Sequence, residues 1–172
     1  MLNFSEIKRV ANMIYPNEIK HIFRAYDIRG VFNKTLFPDI IAKAAAIFAN
    51  IIEEKENAKS VAISGDARTS SRILTFAAAS GVASAGLDAY IIDSIPLPVF
   101  GFTIWRNAKI KGGAYVTASH NPPEWNGIRF RWSDGTGFSD ENAEVKRRFF
   151  KNNVKWVDWS NVGGIYFLDR NE

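Results

Sequence analysis

Phe4, Ile7, Val10, Ala11 and Ile14 recur at intervals of three and four residues after Ser5, so a short helix is expected before Tyr15-Pro16. His21 to Gly30 reads as a short strand or extended loop that ends on a glycine. From Pro38-Asp39 a longer helical stripe runs through Ile40, Ile41, Ala44, Ile47, Phe48, Ile51 and Ile52 to about Glu54, with Pro38 tolerated in the first turn. Ser60 to Ser64 is a short apolar run without alternation, the pattern of a buried strand, stopped by Gly65-Asp66. An alanine-rich helix follows, capped by Ser70 or Ser71 and ending near Ala85, before Gly86. Asp88 to Asp93 is a second strand, and Pro96 and Pro98 precede a short helix to about Asn107. Gly113 to Thr117 and Gly127 to Trp132 are a third and a fourth strand. The loop between these two is too short for a helical crossover, so the fourth should pair antiparallel or close an edge. Ser139 or Asp140 caps a last helix, Glu141 to Phe150, and from Asn152 onward the periodicity dissolves into what reads as a tail.

Alternating strands and helices predict a three-layer α/β/α domain with a mixed, mostly parallel sheet of about four strands, the last antiparallel. Ligands bind where such strands end. Here those places are the loops Gly65–Ser71, Ser94–Pro98 and Ala118–Gly127.

Composition narrows the class. A chain of 172 residues, 47% apolar and 23% charged, fits one globular domain. With no cysteine there is no disulfide frame, thiolate zinc site or cysteine nucleophile, and two histidines, His21 and His120, exclude a histidine-rich metal site. The net charge of +4 suits an anionic ligand. The one basic block, Lys146-Arg147-Arg148, reads as a solvated helix face, so a phosphorylated small molecule is expected rather than nucleic acid. No apolar run approaches the roughly 20 residues of a membrane span, and Met1 to Tyr15 has no apolar signal core. A cytoplasmic protein without membrane contact is expected. The five tryptophans all lie in the second half, where packing is their expected role.

The chemistry concentrates in Thr117-Ala118-Ser119-His120-Asn121-Pro122-Pro123, which follows a glycine-rich strand. Serine beside histidine suggests a nucleophile. Adjacent residues rarely reach triad geometry, however, and the Gly-x-Ser-x-Gly elbow is absent. Asn121-Pro122 makes a rigid turn that would hold Ser119 out into a cleft. This stretch resembles the active-site serine loop of the α-D-phosphohexomutases, the phosphomannomutase and phosphoglucomutase family. The likeness continues through Glu124-Trp125-Asn126-Gly127-Ile128-Arg129. It extends to Phe23-Arg24-Ala25-Tyr26-Asp27-Ile28-Arg29-Gly30 and to Gly65-Asp66-Ala67-Arg68-Thr69-Ser70-Ser71, covering about residues 20 to 150.

The resemblance implies that residues 1–150 are the family's first domain and that residues 151–172 lead toward a second, with Gly163 to Asp169 similar to the linker. It implies that Ser119 is carried as a phosphoserine. The phosphoryl group would move between C1 and C6 of glucose or mannose phosphate through a sugar bisphosphate. Thr117-Ala118 leans toward that branch rather than the glucosamine one. His120 and Arg29 would join Ser119 as catalytic residues, and Tyr26, Arg68, Asn121 and Arg129 would hold substrate or phosphate. A Mg²⁺ ion would sit on the phosphate of Ser119. Structural roles stay open beside these: His120 holding the turn, Arg68 bracing the loop through Asp66, and Tyr26 and Asp27 supporting Arg29.

Two departures matter. Arg129 stands where the family has lysine, and arginine cannot shed a proton to act as a base. The family's enzymes also have four domains, and the motif Asp-Gly-Asp-x-Asp-Arg that supplies their metal carboxylates does not occur in this chain. The chain is therefore expected to be inactive alone. It would work with separately encoded domains or by self-association; the alternative is an inactive binding or regulatory relative.

Overall fold

The isoleucine and alanine stripe from Ile40 to Ile52 forms the longest helix, α1 (Pro38–Glu56), which ends at Asn57 in the left-handed region. The computed structural model describes residues 17–168, so the helix expected over Phe4 to Ile14 lies outside the described residues. A 3₁₀ turn (Asn17–Ile22) precedes β1 (Ile28–Val31). After α1 come β2 (Ser60–Gly65), α2 (Ser71–Ser84), β3 (Asp88–Ile92), α3 (Leu97–Arg106), β4 (Gly112–Val116), β5 (Trp125–Trp132), α4 (Glu141–Phe150) and β6 (Ile165–Leu168).

The six strands lie in the order β1-β5-β4-β2-β3-β6. β2 runs parallel to β3 and β4, and β3 parallel to β6, whereas β5 is antiparallel to both β4 and β1. The three-layer, mixed class expected from the sequence is the class observed. The strand count is six rather than about four, and β5 does not close an edge because β1 pairs beyond it. Both added strands have only four residues. That is too short to show a period, and β6 is exposed along most of its length. The segment before β6 is strapped down: Asn50 and Lys155 exchange two hydrogen bonds, and the Val157 and Gly163 amides donate to Ser84 and Ala83.

Strand side chains alternate between two faces. Val61 and Ile63 of β2, Ala114 and Val116 of β4, and Ile128 and Phe130 of β5 join the large core under α1, α2 and α4. Ala62 and Tyr115 point the other way and pack with Phe100 and Ile104 of α3 in a smaller core. α1 and α2 meet through small residues. A Cβ on Gly81 would lie 2.0 Å from the Ala42 carbonyl oxygen, so only glycine allows this approach. Register places Arg29 opposite Gly127 and Tyr115 opposite Arg129. Arg29, Arg129 and Arg131 therefore share the face on which α3 packs, and Arg131 borders α3 across a cleft. Of the tryptophans, Trp132 packs against the large core, while Trp105, Trp156 and Trp159 are exposed, against the expected packing role.

Candidate functional site

The loops after β2 and β4 meet at one end of the sheet, as parallel topology requires. Ser119 has φ 58°, in the left-handed region. The other described non-glycine residues with positive φ are Asn33, Asn57 and Asn152, all asparagines, which tolerate it. Such a conformation costs a serine about 1–3 kcal/mol and persists only where neighbours enforce it. Here they do. The Ser119 amide donates to Thr117 Oγ1 at 2.9 Å, and that hydroxyl donates to Asp66 Oδ2 at 2.7 Å. The Asn121 amide donates to the Ala118 carbonyl, and Pro122 fixes the chain beyond. The Ser119 hydroxyl itself is exposed, 3.3 Å from His120 Nδ1.

Arg68 reaches the loop from the other side. Its Nη1 donates to the carbonyls of Pro122 (2.7 Å) and Trp125 (3.1 Å), its Nη2 to those of Ser119 (2.9 Å) and Asn121 (2.7 Å). Its Nε donates to Asp66 Oδ2 at 3.1 Å. All five N–H donors of the guanidinium are thus engaged, and Arg68 is a brace for the serine loop with no donor left for a phosphate. Asp66 is the hub: Oδ1 also accepts from Ser71 Oγ at 2.5 Å and from the Arg68 amide. Burial, then the Asp66 charge, raises the pKa of Tyr115, whose hydroxyl donates to the Ile95 carbonyl. Ser70 and Ser71 do not cap α2 through their side chains, nor does Asp140 cap α4. Both serine hydroxyls instead accept from the buried Asn126 side chain, at 2.8 and 3.0 Å.

On the β1 side, Arg29 is almost fully buried; its Nη1 donates to Asn121 Oδ1 at 3.0 Å and its Nη2 to Asp27. Asp27 also pairs with Arg129 at 3.6 Å. A Cβ on Gly127 would sit 2.2 Å from the Ile28 carbonyl oxygen, so glycine lets β1 close against β5 where Arg29 approaches the loop. Tyr26 is exposed beside Arg129. A cleft of about 410 Å³ opens beside Asp66, Arg68, Arg72 and Phe167, and Ser119 is not among its lining residues.

The family described as "Phosphoglucomutase/phosphomannomutase, alpha/beta/alpha domain I" matches residues 20–155. The chain belongs to this phosphoglucomutase/phosphomannomutase family. Among its relatives are a probable phosphoglucosamine mutase of Thermococcus gammatolerans, 33% identical over 151 residues (87% of this chain, 32% of the relative), and a phosphoglucosamine mutase of Methanocaldococcus jannaschii, 33% identical over 144 residues (83% and 30%). A phosphoglucomutase/phosphomannomutase of Thermococcus kodakarensis is 30% identical over 146 residues (84% and 32%). A solved phosphoglucomutase/phosphomannomutase family protein from Burkholderia thailandensis superposes with a TM-score of 0.77 at 26% identity, covering 87% of this chain and 33% of that one. The chain thus spans about a third of the length of its curated relatives. Their names include phosphoglucosamine mutases as well as a phosphoglucomutase/phosphomannomutase.

Set in this phosphoglucomutase/phosphomannomutase frame, Ser119, His120, Asn121, Arg29 and Arg68 come together around one loop, and Arg129 joins through Asp27. Tyr26 stands apart, touching the cleft beside Arg129. Sequence reasoning missed Thr117, Ser71 and Asn126 as positioning residues, and it missed Arg131. The alternation Arg129-Phe130-Arg131 within a strand was the available signal, since it places both arginines on one face. Among the described residues no group of three or more His, Cys, Asp or Glu side chains gathers as a metal site, and no helix is long and apolar enough to cross a membrane. The donors around Ser119 are cationic or neutral, and Asp27 and Asp66 are already paired. The side chains present do not fit a Mg²⁺ site by themselves.

Proposed function

We propose that Ser119 carries the phosphoryl group of a phosphohexomutase, exchanging it with the 1- and 6-hydroxyls of a hexose phosphate. One observation carries this reading: an exposed serine hydroxyl on a left-handed residue, held there by the Asp66–Thr117 chain and by Arg68 on the loop carbonyls. In the forward half-reaction the bond between Ser119 Oγ and phosphorus breaks, a sugar hydroxyl oxygen takes the phosphorus and releases its proton to water, and a proton returns to Oγ. His120, with Nδ1 3.3 Å away, is placed to give that proton. The sugar, now a bisphosphate, turns over and returns its other phosphate to Ser119. Phosphoryl transfer is mostly positioning and charge neutralisation. Arg29 and Arg129 supply positive charge on the open side, and neither can serve as a base. Asn121 orients Arg29. The Mg²⁺ expected from the resemblance requires carboxylates that the described residues do not bring to Ser119, so no step here runs through it. Residues 151–172 serve in this reading as the lead into a second domain, and the sugar is one of the glucose, mannose and glucosamine set.

The test is labelling. The chain, supplied with the remaining domains of a relative and a hexose 1,6-bisphosphate bearing radioactive phosphate, should take one label on Ser119. Ser119→Ala should take none. Label on Ser70, Ser71 or Thr117 instead overturns the assignment.

A further inference from the structure

The two edges of the sheet end differently. At β1 the chain closes its own edge. The Val31 amide donates to Thr35 Oγ1 at 3.0 Å, the Val31 carbonyl accepts from the amides of Lys34, Thr35 and Leu36, and Phe23 bridges to Ile28. At β6 nothing among the described residues pairs on the outer side. The Ala89 amide donates to the Gly164 carbonyl. In a parallel ladder of that phase, the amide and carbonyl of Tyr166 turn toward β3, and those of Ile165 and Phe167 turn outward. Edges are commonly blunted by proline, by charge or by a bulge. Ile165-Tyr166-Phe167-Leu168 carries no proline and no charge, and it pairs with β3 residue for residue. Apolar side chains flank the edge on both faces. Phe76 of α2 meets Phe167 edge-on, with ring centroids 6.2 Å apart. On the α3 face Tyr166 stacks on Tyr90, and Val99 and Phe102 share a cleft with Leu168.

We propose that β6 is a self-association site, pairing antiparallel with β6 of a second copy of this chain about a two-fold axis through Tyr166. The inference goes beyond the phosphohexomutase reading and does not depend on it. In this register Ile165 of each copy faces Phe167 of the other. Both residues turn their backbone groups outward, so each such pair exchanges two N–H···O=C bonds. An axis normal to the sheet keeps like faces together. Ile165 and Phe167 then meet on the α2 face beside Phe76, and Tyr166 meets its own counterpart on the α3 face. The register centred on Ile165 is poorer, because it opposes Phe167 to Gly163, whose amide already donates to the Ala83 carbonyl. A foreign strand would have to match this pattern; a second copy matches it by symmetry, and the two-fold closes. Phe76, Val99, Phe102, Ile165, Tyr166 and Phe167 are all exposed. Together they offer on the order of 600 Å² per copy, the lower end for specific interfaces, so association should be reversible. Antiparallel pairing sends the two Ser119 loops to opposite ends of one continuous sheet.

The experiment follows the full chain by sedimentation over a concentration series, where a reversible monomer–dimer equilibrium is expected. In hydrogen exchange the amides of Ile165 and Phe167 should be slowed only in the dimer, and that of Tyr166 in both states. The chain has no cysteine, so an introduced one is unique. Oxidised Tyr166→Cys should form a disulfide-linked dimer, because the Cα atoms of a non-hydrogen-bonded pair lie about 4.5 Å apart. Phe167→Cys should not, because its counterpart is offset by two residues, beyond the roughly 7 Å that a disulfide spans. Tyr166→Lys opposes like charges and should weaken the dimer at least about tenfold. Mixing it with Tyr166→Glu should restore a mixed dimer. A monomer at every concentration, assembly beyond the dimer, or faster cross-linking of Phe167→Cys than of Tyr166→Cys overturns the proposal. So does a dimer in which the Ile165 and Phe167 amides still exchange freely, since its interface lies elsewhere. If Tyr166→Lys does not fold, exchange in the parent and the two cysteine variants decide.

Discussion

The two sides of the Ser119 loop are built on opposite principles. On the β2 side, one arginine meets four carbonyls and a carboxylate, and Asp66 in turn holds Thr117 and Ser71. The charges of Arg68 and Asp66 are matched to each other there. On the β1 side, Arg29 and Arg129 share Asp27, Arg131 pairs with no carboxylate among the described residues, and the Nε groups of all three make no hydrogen bond. The matched side determines where the serine sits; the unmatched side keeps guanidinium donors that make no hydrogen bond among the described residues. The position of a guanidinium beside the Ser119 loop is thus no guide to its role until its hydrogen bonds are traced.

The largest effect that would break this contrast concerns turnover. If the unmatched side awaits charge and contacts from further domains, the 172-residue chain alone should turn over hexose 1-phosphate at least about 10²–10³ times more slowly than the same chain with those domains supplied. A coupled assay with Mg²⁺ and a trace of bisphosphate measures this. Turnover of about 1–10³ per second by the chain alone would show that one domain suffices. Next comes the matched side. Arg68→Met should lower unfolding free energy by about 2–3 kcal/mol in urea denaturation, because it strips a charged donor from partly buried carbonyls and from Asp66. The same substitution at Arg131 should leave stability within about 0.5 kcal/mol of the parent, since no ion pair is lost and repulsion from Arg129 is relieved. Comparable losses at the two positions would erase the distinction.

The smallest effect sharpens the comparison from outside the site. Glu54 and Glu144 flank Arg148 between α1 and α4, with contacts of 2.6 Å to each. Hydrogen bonds from Arg148 to Glu54 and from Arg147 and then Arg148 to Glu144 hold both carboxyls below their ordinary value of 4.5. Carboxyls depressed in the folded state stabilise it above pH 4.5 and lose that contribution as pH falls through their lower folded values. Arg148→Met should remove part of the acid sensitivity of the melting temperature. Both pairs are solvent-screened, so the effect at neutral pH should stay under about 1 kcal/mol. An unchanged acid profile would show that these bridges do not contribute.

The helices and the central strands were legible because their patterns are long or unbroken: Ile40 to Ile52, Ser60 to Ser64, Glu141 to Phe150. The Ser119 loop was singled out because Thr117 to Pro123 resembles the active-site serine loop of the family, its Ser-His pair alone leaving the role open. β6 was not, because Ile165 to Leu168 is short and its side chains are largely exposed, leaving no inside-outside alternation to detect. The destination of Arg68 was not legible either. Carbonyls carry no side-chain signature, and only the folded loop brings those of Ser119, Asn121, Pro122 and Trp125 to one point. The capping role expected of Ser70 and Ser71 failed because Asn126, more than 50 residues away, competes for their hydroxyls and wins.

The strand order bears on how the protein is born. Arg29 lies on the first strand, yet its neighbour β5 begins at Trp125, so nearly a hundred residues must leave the ribosome before the two can pair. Until then Ile28 and Val31 remain unpaired, which favours slow, non-local folding and a period of vulnerability to aggregation. The delay also has an ordering effect. The Arg29–Asn121 hydrogen bond and the β1–β5 register form in the same closure. The arginine and the serine loop therefore meet only when the sheet is nearly finished, and a nascent chain holds Arg29 and Ser119 apart until then.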